Sequence, residues 1–513
     1  MYLPAVIAPT PIPENIERMD AAALKRELHW ALLKIQVLEQ RLRLERIKKY
    51  GPASGQLSDA QLKLLNDEPG VSREEVEAES RREPVPEPRE QRYRRPHPGR
   101  QELPPELPRV ERVIPCTAEQ CPCKACGQAM EVIGYDESEM LDVEPAKYFV
   151  AVIRREKRAC RRCQQGGVAS APVPARIVDK GLVSDRVVID TVVGKYCDHL
   201  PLYRQSAILE RETGVESGRA TLDGWVMRVG ELLVPVARAI GREVLASGYV
   251  QADETTVDVQ MHDGRGHNHE AYLWQYGQPG GGVMFDFRLG RGRDGPKAFL
   301  GNYEGILQTD GYIAYEKTGG PKMVHAACWA HARRGFVDAL KLNPRDATAK
   351  GIVDLIDELF AVDAEARQLG LDAAGRDALR QQRSRPLLDQ IKAAIEAAAS
   401  VTLPSSKLGE AIKYTLGLWP RLGRFLQHPV LELSNNIAEN SMRPVAVGRK
   451  NWIHVGSPQA GPKVAAILSA VETCKRLAIP VREYLAAVLP GMADVNIQKI
   501  PEFTPAAWAA RRG

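Results

Sequence analysis

The stretch SNNIAENSMRPVAVGRKNW, residues 434–452, places one acidic side chain between paired amides and a run of cations. The acid is Glu439; the amides are Asn435 and Asn436, and the cations are Arg443, Arg449 and Lys450. Carboxylate oxygens suit Mg²⁺ and guanidinium groups suit phosphate, so this mixture is typical of a metal-binding carboxylate beside a phosphate backbone. The chain has 65 acidic residues, however, and a solvated helix face is the better interpretation of any Glu taken alone.

Two further stretches each add an aspartate. In GYVQADETTVDVQ, residues 248–260, valines alternate with polar residues, which predicts a strand that carries Asp253. In GILQTDGYIAY, residues 305–315, a short apolar run ends at Asp310; Asp-Gly after a strand is usually only a turn. Two strands and a later helix that each deliver a carboxylate can together hold two divalent metals about 3.5–4 Å apart, as in-line phosphoryl displacement requires.

These residues resemble the transposases of the bacterial IS66 insertion-sequence family. The matching pieces, in order, are QADETTV, LQTDGYIAY, ACWAHARRGF and NNIAENSMRPVAVGRKNW. The resemblance covers nearly the whole chain and implies a DDE-type enzyme with a ribonuclease-H-like core. It further implies that Asp253, Asp310 and Glu439 bind two Mg²⁺ (or Mn²⁺) ions, one activating water or a 3′-hydroxyl and the other steadying the leaving oxygen.

Length and composition are those of an ordinary multidomain protein. At 513 residues, with 44% hydrophobic and 26% charged residues, the chain has enough material for several folded cores. The net charge of +5 is too mild to indicate nucleic-acid binding by itself. The N-terminus has no basic region and is broken by prolines, and no apolar run reaches about 18 residues. We therefore expect neither a signal peptide nor a membrane span, and a cytoplasmic, nucleoid-associated location.

The sequence predicts a multidomain α+β fold, an α/β core with an all-α insertion, preceded by three smaller modules. The predicted segments are a helical or coiled-coil region (15–70), a disordered Pro- and Arg-rich linker (71–113), a zinc-binding module (114–180), a helix-turn-helix domain (181–235), the first part of the core (245–335), the helical insertion (336–430), the last part of the core (431–475) and a C-terminal segment (476–513).

Apolar residues from Leu24 to Leu42 recur at alternating steps of four and three. This spacing predicts a coiled-coil seam of under four heptads, although an amphipathic helix packed on its own domain has the same pattern. The flanking polar faces look solvated, which favours the coiled coil. Such a seam would join two subunits, so we expect a homo-oligomer.

Six of the nine cysteines lie within residues 116–163, a clustering that argues for metal rather than disulfides. Two Cys-x2-Cys pairs fit a tetrahedral Cys₄ site for one structural Zn²⁺. The four predicted ligands are Cys123, Cys126, Cys160 and Cys163. Cys116 and Cys121 compete for the first pair, and reduced cysteines without metal are the alternative.

The sequence pattern of residues 181–235 is typical of a helix-turn-helix motif. Residues 202–212 would form its first helix, TGVES the turn, and residues 218–229 the recognition helix, capped by Ser217. The recognition helix has two cations for DNA, Arg219 and Arg228. A plain helical bundle is therefore the alternative; the resemblance of KYCDHLPLYRQ to the family favours DNA binding.

A second group of candidate active-site residues lies in the segment ACWAHARRGF and beside Glu439. Cys328-x2-His331 follows a buried-looking strand and begins a helix, so the pair could bind metal or orient a carboxylate. We favour the orienting role, with His331 facing the active site. Arg333 and Arg334 are predicted to contact phosphate. Asn436 and the cations that follow it would position phosphate or the helix that carries Glu439.

The resemblance implies a transposase that cuts and joins the ends of its own mobile element. Its partners would be DNA, as terminal inverted repeats and target, and small accessory proteins of the same element. One rival is a metal-dependent nuclease with the same core and no joining activity. Another is a DNA-binding regulator with an inactive core, against which the presence of all three acidic residues argues.

The two Cys-x2-Cys pairs generate a first test. Purified protein should contain about one Zn²⁺ per chain by elemental analysis, because one Cys₄ set holds one metal. Changing Cys160 and Cys163 to Ser should release it. Undiminished zinc in that double variant would contradict the ligand assignment.

Overall fold

A computed structural model describes residues 148–159, 168–179, 181–261, 263–264 and 266–512, with isolated positions at 20, 21, 24, 25, 28 and 128. The four predicted zinc ligands, the predicted linker and most of the predicted coiled-coil seam lie outside these residues. Of the seam, Leu24 and Leu28 are helical and exposed. The chain divides into two compact units, residues 60–154 and the remainder, and the larger unit holds all three predicted metal-binding acids.

Two short strands form a small antiparallel pair in the larger unit. Strands β1 (Lys157–Ala159) and β2 (Val168–Ser170) pair antiparallel, with Arg158 opposite Ala169. In the sequence, the second Cys-x2-Cys pair stands between these two strands.

Three helices follow: α1 (Asp185–Tyr196), then α2 (Leu202–Thr213) and α3 (Arg219–Ala246), which include the two predicted helices of the motif. The third is much longer than the predicted recognition helix. The predicted cap is wrong: Gly218 is the N-cap and no side chain caps the helix. Ser217 stands one residue too early, and its carbonyl oxygen accepts instead from the Ser206 hydroxyl at 2.6 Å.

A mixed sheet forms the centre of the molecule. Its strands are β3 (Tyr249–Val259), β4 (His269–Gly277), β5 (Val283–Arg288), β6 (Ile306–Thr309), β7 (Val324–Ala327) and β8 (His454–Val455). The order is β5-β4-β3-β6-β7: β3, β4 and β5 are antiparallel neighbours, β6 and β7 run parallel to β3, and β8 pairs with the end of β3. The strand predicted to carry Asp253 is β3, and the apolar run before Asp310 is β6; a short helix α4 (Asp294–Leu300) follows β5.

Helices account for most of the remaining chain. They are α5 (Trp329–Leu342), α6 (Ala347–Gln368), α7 (Ala373–Leu379), α8 (Arg385–Val401), α9 (Lys407–Gly417), α10 (Trp419–Leu422), α11 (Asn436–Trp452), α12 (Gly461–Arg476), α13 (Val481–Val488) and α14 (Pro505–Ala510). The predicted insertion is thus helical. It has its own hydrophobic core, shared with one side of the sheet. No helix in the described part of the chain is long and apolar enough to cross a membrane.

Helix α3 joins the predicted helix-turn-helix region to the sheet. It runs across the predicted boundary between residues 235 and 245 and packs closely on α12, so closely that a Cβ on Gly230 would meet the Cβ of Lys463 at 2.7 Å. The Phe285 backbone N–H of β5 donates in turn to the Ser469 hydroxyl of α12. Residues 181–235 share one core with the sheet, because α3 buries its apolar face there.

A buried ion pair fixes the end of the insertion. The Arg380 guanidinium is 1% exposed and donates to Asp363 Oδ1 and to the Leu431 carbonyl oxygen, each at 2.7 Å. Arg376 bridges Asp363 and Glu432 at 2.7 and 3.0 Å. These contacts hold the segment that leads into α11, because a buried guanidinium must have nearly all its N–H groups satisfied.

Replacing Arg380 with Ala should lower the free energy of unfolding by about 3–5 kcal/mol, since it leaves the buried Asp363 carboxylate short of its counter-charge. The matched control is Arg383→Ala, which removes a surface pair with Glu365. That variant should lose less than about 1 kcal/mol. Urea unfolding of both variants measures the difference, and equal losses would mean that the buried pair adds nothing beyond a surface pair.

Candidate active site

Two predicted carboxylates lie on neighbouring parallel strands, Asp253 within β3 and Asp310 directly after β6. Strands β3 and β6 pair with Gln251 opposite Gln308. Asp253 and Asp310 each stand two residues further along. Because side chains alternate along a strand, Asp253 projects to the same face as Gln251, whereas Asp310 stands in the turn that follows β6.

A tight turn holds Asp310. The Tyr312 backbone N–H donates to Asp310 Oδ1 at 2.8 Å, and the turn needs Gly311, whose φ is +92° and whose Cβ position would meet Leu418 at 2.5 Å. The Tyr414 hydroxyl, from helix α9, donates to the Asp310 carbonyl oxygen. The helical insertion therefore supports the turn that aims this carboxylate.

Glu439 reaches the same place from the first turn of α11, where the helix dipole favours an acid. Its Oε1 lies 3.4 Å from His331 Nε2, and its Oε2 lies 3.5 Å from Arg334 Nη2. Both partners belong to α5, the helix that follows β7. His331, which the sequence predicts to face the active site, therefore lies beside Glu439.

The charges of the three acids affect one another. The pKa of Asp253 is raised to about 7, first by burial and then by the carboxylates of Glu254, Asp310 and Glu439, against the opposing effect of a backbone N–H. Burial lowers the pKa of His331, although Glu439 and Asp310 act to raise it. The histidine is therefore neutral at neutral pH, and of the two α5 side chains beside Glu439 only Arg334 brings a positive charge.

The donor set suits a hard divalent cation. Three carboxylates supply the oxygen ligands that Mg²⁺ and Mn²⁺ prefer, and the buried Oε1 of Glu439 has no hydrogen-bond partner. Within the residues that the structure describes, however, no three His, Cys, Asp or Glu side chains approach closely enough to enclose a metal. The three acids therefore converge without forming a closed set of metal ligands among the described residues.

The predicted DNA-contacting cations divide into engaged and exposed groups. Arg333 pairs with Asp357 of α6, with Nη2 at 2.9 Å, and Arg449 donates to the Thr256 carbonyl oxygen at 2.6 Å, tying α11 to β3. Arg228 is half-buried and donates to the Ile177 carbonyl oxygen at 3.3 Å. The exposed members of the predicted set are Arg219, Arg334, Arg443 and Lys450.

Cys328 and the first of the paired amides, Asn435, are buried and make contacts within the protein. Burial raises the pKa of the Cys328 thiol to about 11, and its Sγ accepts from the Asn435 backbone N–H at 3.4 Å. The Asn435 side chain is fully buried and donates to the Ala252 carbonyl oxygen at 3.5 Å, whereas Asn436 is exposed. Asn435 rather than Asn436 therefore anchors the start of α11 to β3.

Sequence reasoning missed a buried amide network beneath the carboxylates. Gln251 Nε2 donates to Gln308 Oε1 at 2.9 Å and to the Ser434 carbonyl oxygen at 3.0 Å. Gln308 Nε2 donates to the Glu432 carbonyl oxygen at 2.7 Å, and the Tyr249 hydroxyl donates to Gln308 Oε1 at 2.5 Å. The network joins both aspartate strands to the segment before α11. Its signal in the sequence is the repeated Gln-x-Asp of QAD and QTD.

A family model described as "Transposase IS66 family" matches residues 180–463, more than half of the chain. This chain belongs to the IS66 transposase family. The match covers all three acids of the candidate site, although α12 of this IS66 transposase continues to Arg476, past the matched region. Membership supports a transposase role, with DNA as partner.

Two shorter matches cover the N-terminal part of this transposase. The "zinc-finger binding domain of transposase IS66" matches residues 120–164, which include all four predicted zinc ligands, and this supports a structural zinc. "Transposase C of IS166 homeodomain" matches residues 37–112. That match spans part of the predicted coiled coil and the segment predicted to be a linker.

Three similar proteins come from Sinorhizobium fredii (strain NBRC 101917 / NGR234). The uncharacterized protein y4qI is 36% identical over 404 residues, 76% of this chain and 73% of its own length. The uncharacterized protein y4jD is 33% identical over 80% of this chain and 82% of its own. The uncharacterized protein y4hP is 30% identical over 93% and 88%. The similarity therefore extends over most of the transposase.

The acidic cluster generates a stability test. Asp253→Asn should raise the free energy of unfolding of the metal-free protein at pH 8 by about 1–3 kcal/mol, because it removes a buried charge repelled by its neighbours. The folded state holds the Asp253 proton up to about pH 7, whereas an unfolded Asp releases it near pH 3.9. Wild-type stability should thus fall between these two pH values, and the gain from the variant should grow over that window.

Urea unfolding across pH 4–8 measures this gain. Asp258→Asn, an exposed change on the same strand, should alter stability by less than about 0.5 kcal/mol. Added Mg²⁺ should shrink the advantage of Asp253→Asn, because a bound cation offsets the repulsion. A loss of stability in Asp253→Asn throughout this range would contradict the electrostatic account of the site.

Proposed function

We propose that this IS66 transposase carries out metal-dependent cleavage and strand transfer at the ends of its own element, with Asp253, Asp310 and Glu439 as the metal-holding residues. The observation that carries the proposal is their convergence from two adjacent strands and one helix, with Asp310 and Glu439 helping to raise the pKa of Asp253. In the sheet, β3, β4 and β5 are antiparallel neighbours, and β6 and β7 run parallel to β3. This strand order supports a ribonuclease-H-like core, with the acids on β3, directly after β6 and on α11.

Two Mg²⁺ or Mn²⁺ ions held there would activate the attacking hydroxyl and stabilise the leaving oxygen. The protein's own residues orient the carboxylates. The turn at Gly311 fixes Asp310, His331 Nε2 lies 3.4 Å from Glu439 Oε1, and the buried amides tie the two strands to the segment before α11. Such prior orientation matters because small displacements of reacting groups reduce rates strongly.

Exposed cations near the acids would receive the DNA backbone. Arg334 is 55% exposed at its side chain and contacts Glu439 weakly, so it can turn to a phosphate oxygen. Arg443 and Lys450 continue this charge along α11, and Arg219 adds a cation at the start of α3. The engaged cations Arg333 and Arg449 would position helices instead. The zinc module and helices α1–α3 would bind the element's terminal repeats, and an N-terminal coiled coil would pair two subunits.

Cleavage assays with amide variants test the assignment. Asp253→Asn, Asp310→Asn and Glu439→Gln should each abolish cutting and joining of labelled end DNA, because the amide keeps the size of the side chain and loses the charge that holds the metals. Binding of end DNA without divalent metal should persist. Activity of the Asp310 or Glu439 variant would remove that residue from the metal set.

Glu304→Gln is the matched control, an exposed acid just before β6 that should leave activity unchanged. Glu432 is unsuitable, because its carboxylate pairs with Arg367 and Arg376 and helps to hold the segment before α11. A DNA substrate whose element end is already cut distinguishes a transposase from a nuclease or a regulator. A wild-type protein that cuts and never joins this substrate is a nuclease, and one that binds and never cuts, even with the accessory proteins of the element, is a regulator.

A further inference from the structure

The loop between β5 and α4 brings a cation to a buried acid on β3. This loop, residues 289–293, has the sequence LGRGR. Arg291 donates to Glu254 Oε1 from Nη2 at 2.7 Å and from Nε at 3.1 Å. Glu254 follows Asp253 directly in β3, so its side chain lies on the opposite face of the sheet. The pair is therefore separate from the carboxylates that are proposed to hold the metals.

The Glu254 carboxylate is almost completely buried and depends on two donor side chains. Its side chain is 3% exposed, and its second oxygen, Oε2, accepts from the Tyr315 hydroxyl at 3.0 Å. Tyr315 is itself buried and packs edge-on against Trp274, with ring centres 5.6 Å apart. A buried carboxylate is unfavourable unless opposite charge and hydrogen bonds compensate for its lost hydration, so Glu254 holds Arg291 firmly in place.

Arg291 also contacts the residue that holds the Asp310 side chain. Its guanidinium carbon lies 4.1 Å from the ring centre of Tyr312, which is a cation–π contact. The Tyr312 hydroxyl donates to the Arg291 carbonyl oxygen at 3.1 Å. The backbone N–H of the same tyrosine donates to Asp310 Oδ1 at 2.8 Å. One arginine thus joins Glu254 of β3 to the turn that carries Asp310.

The second cation of this loop makes a much weaker contact. Arg293 is exposed, and its Nη2 reaches the Ile313 carbonyl oxygen only at 3.5 Å. Arg291 and Arg293 each bring one positive charge to the same loop. An effect that is confined to Arg291 would therefore arise from its contacts with Glu254 and Tyr312 and not from the charge of the loop.

We propose that Arg291 is a positioning residue for Asp310, because it bonds to the buried Glu254 and supports Tyr312 in the turn after β6. The consequence for cleavage rests on the proposed function, in which Asp310 holds a metal. A carboxylate in a loosely held turn binds a metal less tightly, because the free energy of ordering it reduces the affinity. Tyr414 holds the carbonyl oxygen of Asp310, and Arg291 supports the residue that binds its carboxylate.

Hydrogen exchange followed by mass spectrometry tests the positioning directly, on the full chain with its zinc and without Mg²⁺. Arg291→Gln should speed exchange several-fold in peptides that span residues 310–316, because the turn loses the group that supports Tyr312. Arg293→Gln should leave exchange in these peptides at the wild-type rate. Wild-type exchange in Arg291→Gln would overturn the proposal.

The Mg²⁺ dependence of end-DNA cleavage gives a second readout. Arg291→Gln should raise the Mg²⁺ concentration for half-maximal cleavage by about tenfold, as loss of a group that orients a metal ligand does. Arg293→Gln should leave this concentration unchanged. Both variants lose one charge, so their affinities for end DNA without divalent metal should match. Faster exchange in Arg291→Gln together with a wild-type Mg²⁺ requirement would overturn a role in positioning Asp310 for the metal.

A double variant separates positioning from stability. Arg291→Gln alone leaves the buried Glu254 without its cation and should lower Tm. Adding Glu254→Gln removes that buried charge and should restore part of the Tm, while the contact with Tyr312 is still missing. Fast exchange and the raised Mg²⁺ requirement should therefore persist in the double variant. If both return to wild-type values together with Tm, the ion pair serves only stability and the proposal is overturned.

These outcomes separate the positioning role from the proposed function. If Arg291→Gln speeds exchange of the turn and the wild-type protein never cuts, the positioning of the turn stands and the catalytic proposal fails. If the amide variants of the three acids lose cleavage and Arg291→Gln exchanges and cleaves as the wild-type protein does, the catalytic proposal stands and the positioning role fails.

Discussion

The buried hydrogen bonds between Gln251 and Gln308 set the geometry of the active-site face. An amide group inside a protein is costly unless it is paired, so these side chains hold their partners firmly. Here the partners include each other and the backbone of residues 432–434. Two strands and the approach to α11, far apart in the sequence, are thereby fixed together directly beneath Asp253 and Asp310.

The helical insertion completes this support from outside the sheet. Arg380 binds the carbonyl oxygen of Leu431, the Trp329 backbone N–H donates to the Leu433 carbonyl oxygen, and Tyr414 holds the turn after Asp310. The insertion stands in the chain between Asp310 and Glu439 and contacts the segments next to both. Its helices therefore help to fix the positions of two of the three acids, Asp310 and Glu439.

The acidic cluster works against the stability of the free protein. Burial and neighbouring carboxylates make ionised Asp253 unfavourable, and the nearby His331 is neutral and cannot compensate at neutral pH. Sites that hold charge for chemistry commonly carry such a cost, and the surrounding core supplies the stability that tolerates it.

The sequence by itself determined the local elements and the chemistry of the named groups. Alternation predicted the strands that carry Asp253 and precede Asp310, helical spacing predicted the insertion, and paired cysteines indicated a zinc module. Tertiary structure alone decided which side chains meet. The parallel pairing of β3 with β6 brings Gln251 onto Gln308, and Arg333 and Arg449 find internal partners instead of open solvent. Periodicity records local backbone conformation, whereas the partner of a buried amide or cation depends on segments that the chain brings together only on folding.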